Sequence, residues 1–225
     1  MDLQNTFQFL IDLECNNYRP WFNENKARYL VAKESIDQLV EELIPLIQSF
    51  DKEVDVTRAK ECVFRIYRDA RFTKDKAPYK THFGAFISQG GRKSPYAGYY
   101  FHFEADRSFV GGGIYRPESA VLKAIRTQIY ESPQDYKGII EQADFQATFP
   151  TIYGDPLKTA PKGFPKDWPH IDLIKNKSYT VSQQLDNEFW FKDKVALRLA
   201  QLFEQQYRFN DFLNKAVNTS LNRNS

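Results

Sequence analysis

Between residues 62 and 115 the apolar residues of this chain stop recurring every three to four positions and begin to alternate, and that switch narrows its architecture more than any other feature. The runs CVFRIY, HFGAFIS, GYYFHFEA and SFVGGGIY predict four short strands separated by turn-forming and charged segments, with an antiparallel meander at least for the last pair, whose Ala105-Asp106-Arg107 link is of hairpin length. Successive side chains of a strand point to opposite faces. GYYFHFEA should therefore present Tyr99, Phe101 and Phe103 to a core and Tyr100, His102 and Glu104 to the other side. The triple Gly111-Gly112-Gly113 within a strand pattern implies that a neighbouring segment, a bulge or a ligand comes close to its backbone.

Helical periodicity brackets this region. Leu3, Phe7, Leu10 and Ile11 follow an Asp2 cap and stop near Asn16-Asn17. Pro20 suits a first helical turn, and Tyr29, Ala32, Ile36, Leu39, Leu43, Ile47 and Phe50 trace one stripe, with a kink expected at Pro45. Pro117 opens a helix carrying Val121, Leu122, Ile125 and Ile129, and Ser132-Pro133 starts another with Tyr136, Ile139 and Ile140. SYTVSQQL predicts a fifth strand. Two closing helices are expected, one with Val195, Leu199, Leu202 and Phe203, the next with Phe212, Leu213 and Val217. The resulting expectation is an α+β fold, a mainly antiparallel sheet of about five strands packed by N-terminal, central and C-terminal helices. A single domain over 1–225 is expected, with helices over 2–50, the sheet core over 60–115, helices over 117–143, a long loop over 144–177 rich in Pro, Gly and Lys, and a strand with closing helices over 178–218.

The N-terminus lacks the basic and long apolar regions of a secretory signal, and no segment approaches the roughly 20 apolar residues a membrane helix needs. A cytoplasmic location without a membrane partner is the expectation. Cys15 and Cys62 have no CxxC partner, so neither a zinc knuckle nor a disulfide scaffold is predicted.

Charge is unevenly placed. Residues 58–93 carry ten Lys or Arg against Glu61, Asp69 and Asp75, a net +7 in a chain whose total is +2. The densest part, FRIYRDARFTKDKAPYKTHFGAF, interleaves cations with aromatics, the residue types that hold phosphates and stack rings. Arg65, Arg68, Arg71, Lys74, Lys76 and Lys80 are candidate anion-binding residues, with Tyr79 and Tyr100 to orient or stack a ligand. The alternative for the same residues is a loop locked by internal pairs such as Arg68 to Asp75 and Arg71 to Asp69. If the 62–67 strand joins the sheet, Arg65 and Tyr67 would share the polar face with Tyr100, His102 and Glu104. His102 and Glu104 are then the candidates for acid–base catalysis, against the plain alternative of ordinary surface residues.

Other chemistry finds little support. His82, His102 and His170 are dispersed and no HExxH spacing occurs, so no metal site and no cofactor is predicted. GxGxxG, the P-loop pattern and GxSxG are missing, and Gly90-Gly91-Arg92-Lys93 reads as a basic turn.

FLIDLECNNYRPWFNENKARY, FRIYRDARFTKDKAPYKTHFGAF, GYYFHFEA, FVGGGIYRP, KAIR and APKGFPKDWPHIDLIKNKSY, in that order, closely resemble a bacterial and fungal family of conserved hypothetical proteins, domain of unknown function 2461. The resemblance implies a self-contained domain in which the basic-aromatic segment is a hallmark, and it implies no particular reaction. Three functional classes follow from the residues: binding of, or chemistry on, a small anionic ligand such as a phosphate-bearing one; nucleic-acid binding through 58–93; and a structural or partner-binding role without catalysis. Oligomeric state is left open.

Overall fold

The computed structural model describes residues 1–69 and 76–222. Its fold is α+β. Five antiparallel strands, β1 (Phe83–Ile87), β2 (Gly98–Phe103), β3 (Phe109–Ile114), β4 (Ile152–Tyr153) and β5 (Tyr179–Gln184), lie in the order β1-β2-β3-β5-β4. Eight α-helices occur among the described residues: α1 (Leu3–Cys15), α2 (Arg19–Glu24), α3 (Lys26–Phe50), α4 (Ala59–Cys62), α5 (Ser119–Glu131), α6 (Pro133–Ile140), α7 (Ala143–Thr148) and α8 (Val195–Asn222). None of the described helices is long and apolar enough to cross a membrane.

The helices supply their apolar stripes to one face of the sheet. Asp2 caps α1 by accepting from the Asn5 amide, and α3 continues through Pro45 with Tyr29, Ala32, Ile36, Leu39, Leu43 and Ile47 buried. These residues pack with Phe9, Phe22, Phe83, Tyr99, Phe101, Phe103 and Trp190 in one apolar cluster. A second cluster gathers Val121, Ile125, Ile129, Tyr136, Phe145, Tyr179 and Val181 around Phe209 and Leu213.

A single helix, α8, serves both clusters, where the sequence pattern suggests two helices. The apparent break in its stripe comes from Gln206 and Asn210. Both are buried, and both donate side-chain amides to the Gly98 carbonyl, at 3.0 and 3.2 Å. A polar pair that looks like an interruption thus fastens the helix to β2. The glycine run explains how α8 gets so near: a Cβ on Gly112 would lie 2.2 Å from Gln206 Nε2 and 1.9 Å from the Gly98 carbonyl oxygen. The close neighbour implied by the three glycines is therefore the protein's own chain.

One other expectation is corrected. Residues 62–67 form no strand. Cys62 ends α4, and only isolated bridges, Val63 to Ala85 and Tyr67 to Tyr79, tie the following stretch to its neighbours. The 144–177 segment holds most of α7, the short β4 and a 3-10 turn at Ile171–Ile174.

Candidate functional site

Alternation in β2 places Tyr100 and His102 on the sheet face opposite the aromatic core, and antiparallel register sets their neighbours. His102 sits between Gly84 and Phe109, and Tyr100 between Phe86 and Gly111. Gly84 leaves room where a Cβ would come 2.7 Å from the Tyr100 hydroxyl. That hydroxyl lies 3.1 Å from His102 Nδ1, and His102 Nε2 lies 3.0 Å from Glu104 Oε2. An ionised carboxylate only accepts, so Nε2 carries the hydrogen toward Glu104, and in the neutral tautomer that this leaves the Tyr100 hydroxyl is the donor to Nδ1.

The row is held at its far end. Glu104 Oε1 accepts from the Thr81 hydroxyl at 2.5 Å and from Arg107 Nη2 at 3.0 Å, and Arg107 also reaches Glu14 on α1 at 2.7 Å. The Ser108 hydroxyl accepts from the Glu104 amide and donates to its carbonyl, fixing the turn that returns Arg107 to Glu104. Burial alone would raise the Glu104 carboxyl. The hydrogen bonds from His102, Arg107 and Thr81 outweigh it and hold the group down at about 2.

His82, just before β1, completes the cluster. Its ring centroid is 4.0 Å from that of His102, which stacks in turn on Phe109 at 4.8 Å. Burial, reinforced by the neighbouring His102, pushes His82 down to about 4, and burial raises the Tyr100 hydroxyl to about 12. His82, Tyr100, Phe64, Lys80 and Gly84 border a cavity of about 210 Å³. Phe64 is the residue of the 62–67 stretch that meets Tyr100, with ring centroids 6.3 Å apart. Arg65 does not share this face as expected, because without a paired strand the 62–67 stretch is free of the sheet's alternation.

Arg65 instead lines a larger cleft of about 930 Å³ with Arg19, Arg68, Lys76, Tyr18 and Tyr67, where Asp69 is the acidic lining residue. An adjoining cavity of about 600 Å³ shares Arg68 and Asp69 and continues to Lys80, Thr81 and His82. The backbone bonds Arg68 N–H to Pro78 O and Lys80 N–H to Ile66 O hold the two walls together. Asn17 clasps Tyr79 through both its backbone groups, and the Tyr79 ring stacks on Phe22 at 3.9 Å, so this tyrosine belongs to the core more than to a ligand. Desolvation, with Arg65 nearby, lowers Lys80 from the usual lysine range. Arg71, Lys74 and the pairings offered for Asp75 lie outside the described residues.

The structure therefore brings together Tyr100, His102 and Glu104, and separately groups Arg65, Arg68 and Lys76, with Lys80 bordering both the small cavity and the adjoining one. Sequence reasoning missed His82, Thr81, Arg107 and Glu14. A signal existed for His82 alone: if Phe83 points inward, its neighbour points outward toward the face of His102. His170 remains apart, against Trp168. Both cysteines are free. Cys15 is exposed, and burial pushes the Cys62 thiol up to about 12, which makes it a poor nucleophile.

Fold and site define an α+β protein whose antiparallel sheet carries a His-His-Glu cluster on the face away from its helical core. The family model described as conserved hypothetical protein (DUF2461) matches residues 5–212, and the chain belongs to that family. No curated protein and no solved structure matches the chain.

Proposed function

We propose that the protein binds a small anionic ligand, phosphate- or carboxylate-bearing, in the cleft beside the sheet. The observation that carries this reading is the lining of the 930 Å³ concavity, where Arg19, Arg65, Arg68 and Lys76 stand together with Asp69 among the described residues. Guanidinium groups grip such oxygens through paired donors, and a concave wall concentrates their field. Tyr18 and Tyr67, both exposed, offer ring faces at the same cleft. His102 and Glu104 remain the candidates for proton transfer, since their row ends at the Tyr100 hydroxyl beside the smaller cavity.

A small ligand is favoured over nucleic acid because the cations line a concavity instead of an extended face. Calorimetric titration of the chain, in buffer containing a chelator, with inorganic phosphate, nucleoside phosphates and dicarboxylates tests the reading. Binding that Arg65→Ala and Arg68→Ala each weaken at least about tenfold, with circular dichroism unchanged, supports it. Absence of binding across the panel overturns it. Retention of oligonucleotide alone, falling steeply with salt, would replace it with the polymer reading.

A further inference from the structure

We infer that His82, His102 and Glu104 form a binding site for a divalent transition-metal ion of the zinc class. His102 lies in β2 and Glu104 directly after its end, His82 comes from the approach to β1, and the fold gathers one donor atom from each within 4.8 Å of the others. His102 Nε2 and Glu104 Oε2 are 3.0 Å apart. Donors held at about 2.0–2.2 Å by a tetrahedral ion stand about 3.3–3.5 Å from one another, so the widest separation needs to close by at most about 1.5 Å.

The surroundings divide Glu104 in the way a metal site requires. Thr81 and Arg107 both hold Oε1, which leaves Oε2 to the His102 imidazole. Tyr100 lies against His102 Nδ1 and can accept from it when Nε2 is occupied by an ion, the hydrogen bond that fixes a ligating ring. Two imidazoles and one carboxylate suit zinc, iron, cobalt or nickel, whereas magnesium and calcium favour all-oxygen sites. Three protein ligands also leave a coordination position unfilled, as in catalytic zinc sites, and His82 borders the 210 Å³ cavity through which a further ligand would enter. An ion here makes His102 and Glu104 ligands instead of acid and base. The inference stands on the cluster and is independent of the anion cleft.

The test uses chelator-stripped full-length protein in phosphate-free buffer, titrated with Zn2+ by calorimetry and with Co2+ by visible absorption. One ion per chain is expected, with no competition from Mg2+. His82→Ala and His102→Ala should each weaken binding by at least about 100-fold, beyond the roughly 10–100-fold of an outer-shell change, and Tyr100→Phe should cost about tenfold. His170→Ala and Cys15→Ser should leave affinity unchanged. Substoichiometric binding to the unmodified chain overturns the site, as does binding that survives loss of both His82 and His102, or that disappears with His170 or Cys15. Where a histidine variant fails to fold, the Co2+ spectrum of the unmodified chain decides: visible bands without sulfur charge-transfer absorption support the site, and thiolate absorption assigns the ion to a cysteine.

Discussion

Along β2 two adjacent tyrosines share a strand, a chemistry and a backbone conformation, yet they end in opposite surroundings. Tyr99 points into the helical side, where its hydroxyl donates to the buried Asp51 carboxylate at 2.7 Å among Phe50, Phe203 and Trp190's cluster. Tyr100 points the other way, where its hydroxyl joins His102 and Glu104 at the rim of a cavity. On the inner face aromatic rings are packed by helices and a polar group is a local exception. On the outer face polar groups support one another and a cavity is kept beside them. Stability is therefore expected to reside in the first and ligand chemistry in the second.

The largest expected effect is on the inner face. Phe101→Ala removes a fully buried ring and should cost about 3–5 kcal/mol, while His102→Ala on the next residue should cost about 1 kcal/mol, the scale of a net hydrogen bond. Urea unfolding of the two variants checks the contrast, and equal losses would break it.

Glycine substitutions sharpen the same comparison. A Cβ at Gly112 meets the Gly98 carbonyl and Gln206 at distances backbone cannot tolerate, so Gly112→Ala should destabilise by about 2–3 kcal/mol, the upper part of the overpacking range. At Gly84 the obstacle is the hydroxyl and ring edge of Tyr100, a side chain instead of backbone, so Gly84→Ala should cost about 1 kcal/mol while displacing the hydroxyl from His102. Thermal melts measure the first effect. The imidazole resonances of His102 report the second.

The two tyrosines themselves come next. Tyr99→Phe leaves one oxygen of the buried Asp51 carboxylate without its donor, the other still accepting from the Glu53 amide, and should cost about 1–3 kcal/mol, against about 0.5–1 kcal/mol for Tyr100→Phe. A Tyr100→Phe loss equal to that of Tyr99→Phe would mean that the outer row is a structural device.

The effect most discriminating in sign is pH dependence in metal-free protein. Burial raises Asp51 above the ordinary carboxylate value of 3.8, against the opposing hydrogen bonds from Tyr99 and Glu53, and Asp211 and Glu53 add repulsion. A raised acid contributes stability below its unfolded pKa and loses it as pH climbs through the folded value. Glu104, lowered to about 2 among His102, Arg107 and Thr81, contributes stability above 4.5 and loses it as pH falls toward 2. Asp51→Asn should therefore remove a decline on the alkaline side of pH 4, and Glu104→Gln should remove a decline on the acid side. Unfolding free energies across pH 2–7 for both variants separate the two; slopes of the same sign would contradict the opposed environments.

Legibility followed the range of the interactions involved. Tyr99, Phe101 and Phe103 were readable as core, and Tyr100, His102 and Glu104 as their polar counterparts, because alternation in a strand is set by local backbone geometry. The helical stripes of α3 and α5 were readable for the same reason. The continuity of α8 was not, because Gln206 and Asn210 look like breaks until β2 supplies the carbonyl they bond. The 62–67 stretch alternates like a strand, yet it pairs at isolated points only, and its alternation could not show that Phe64 in place of Arg65 would meet Tyr100.

The sequence by itself determined the α+β class, the positions of the principal helices and four of the five strands, and which residues of β2 face away from the core, since each depends on contacts between residues a few positions apart. Tertiary structure alone decided that His82 lies against His102, that Arg107 turns back to Glu104 and reaches Glu14, and that the basic residues Arg65, Arg68 and Lys76 line a cleft with Arg19. Those meetings depend on strand register, on turn geometry and on the docking of α1 and α2. They are fixed by the burial of the whole sheet against its helices, a free energy that no short stretch of sequence carries.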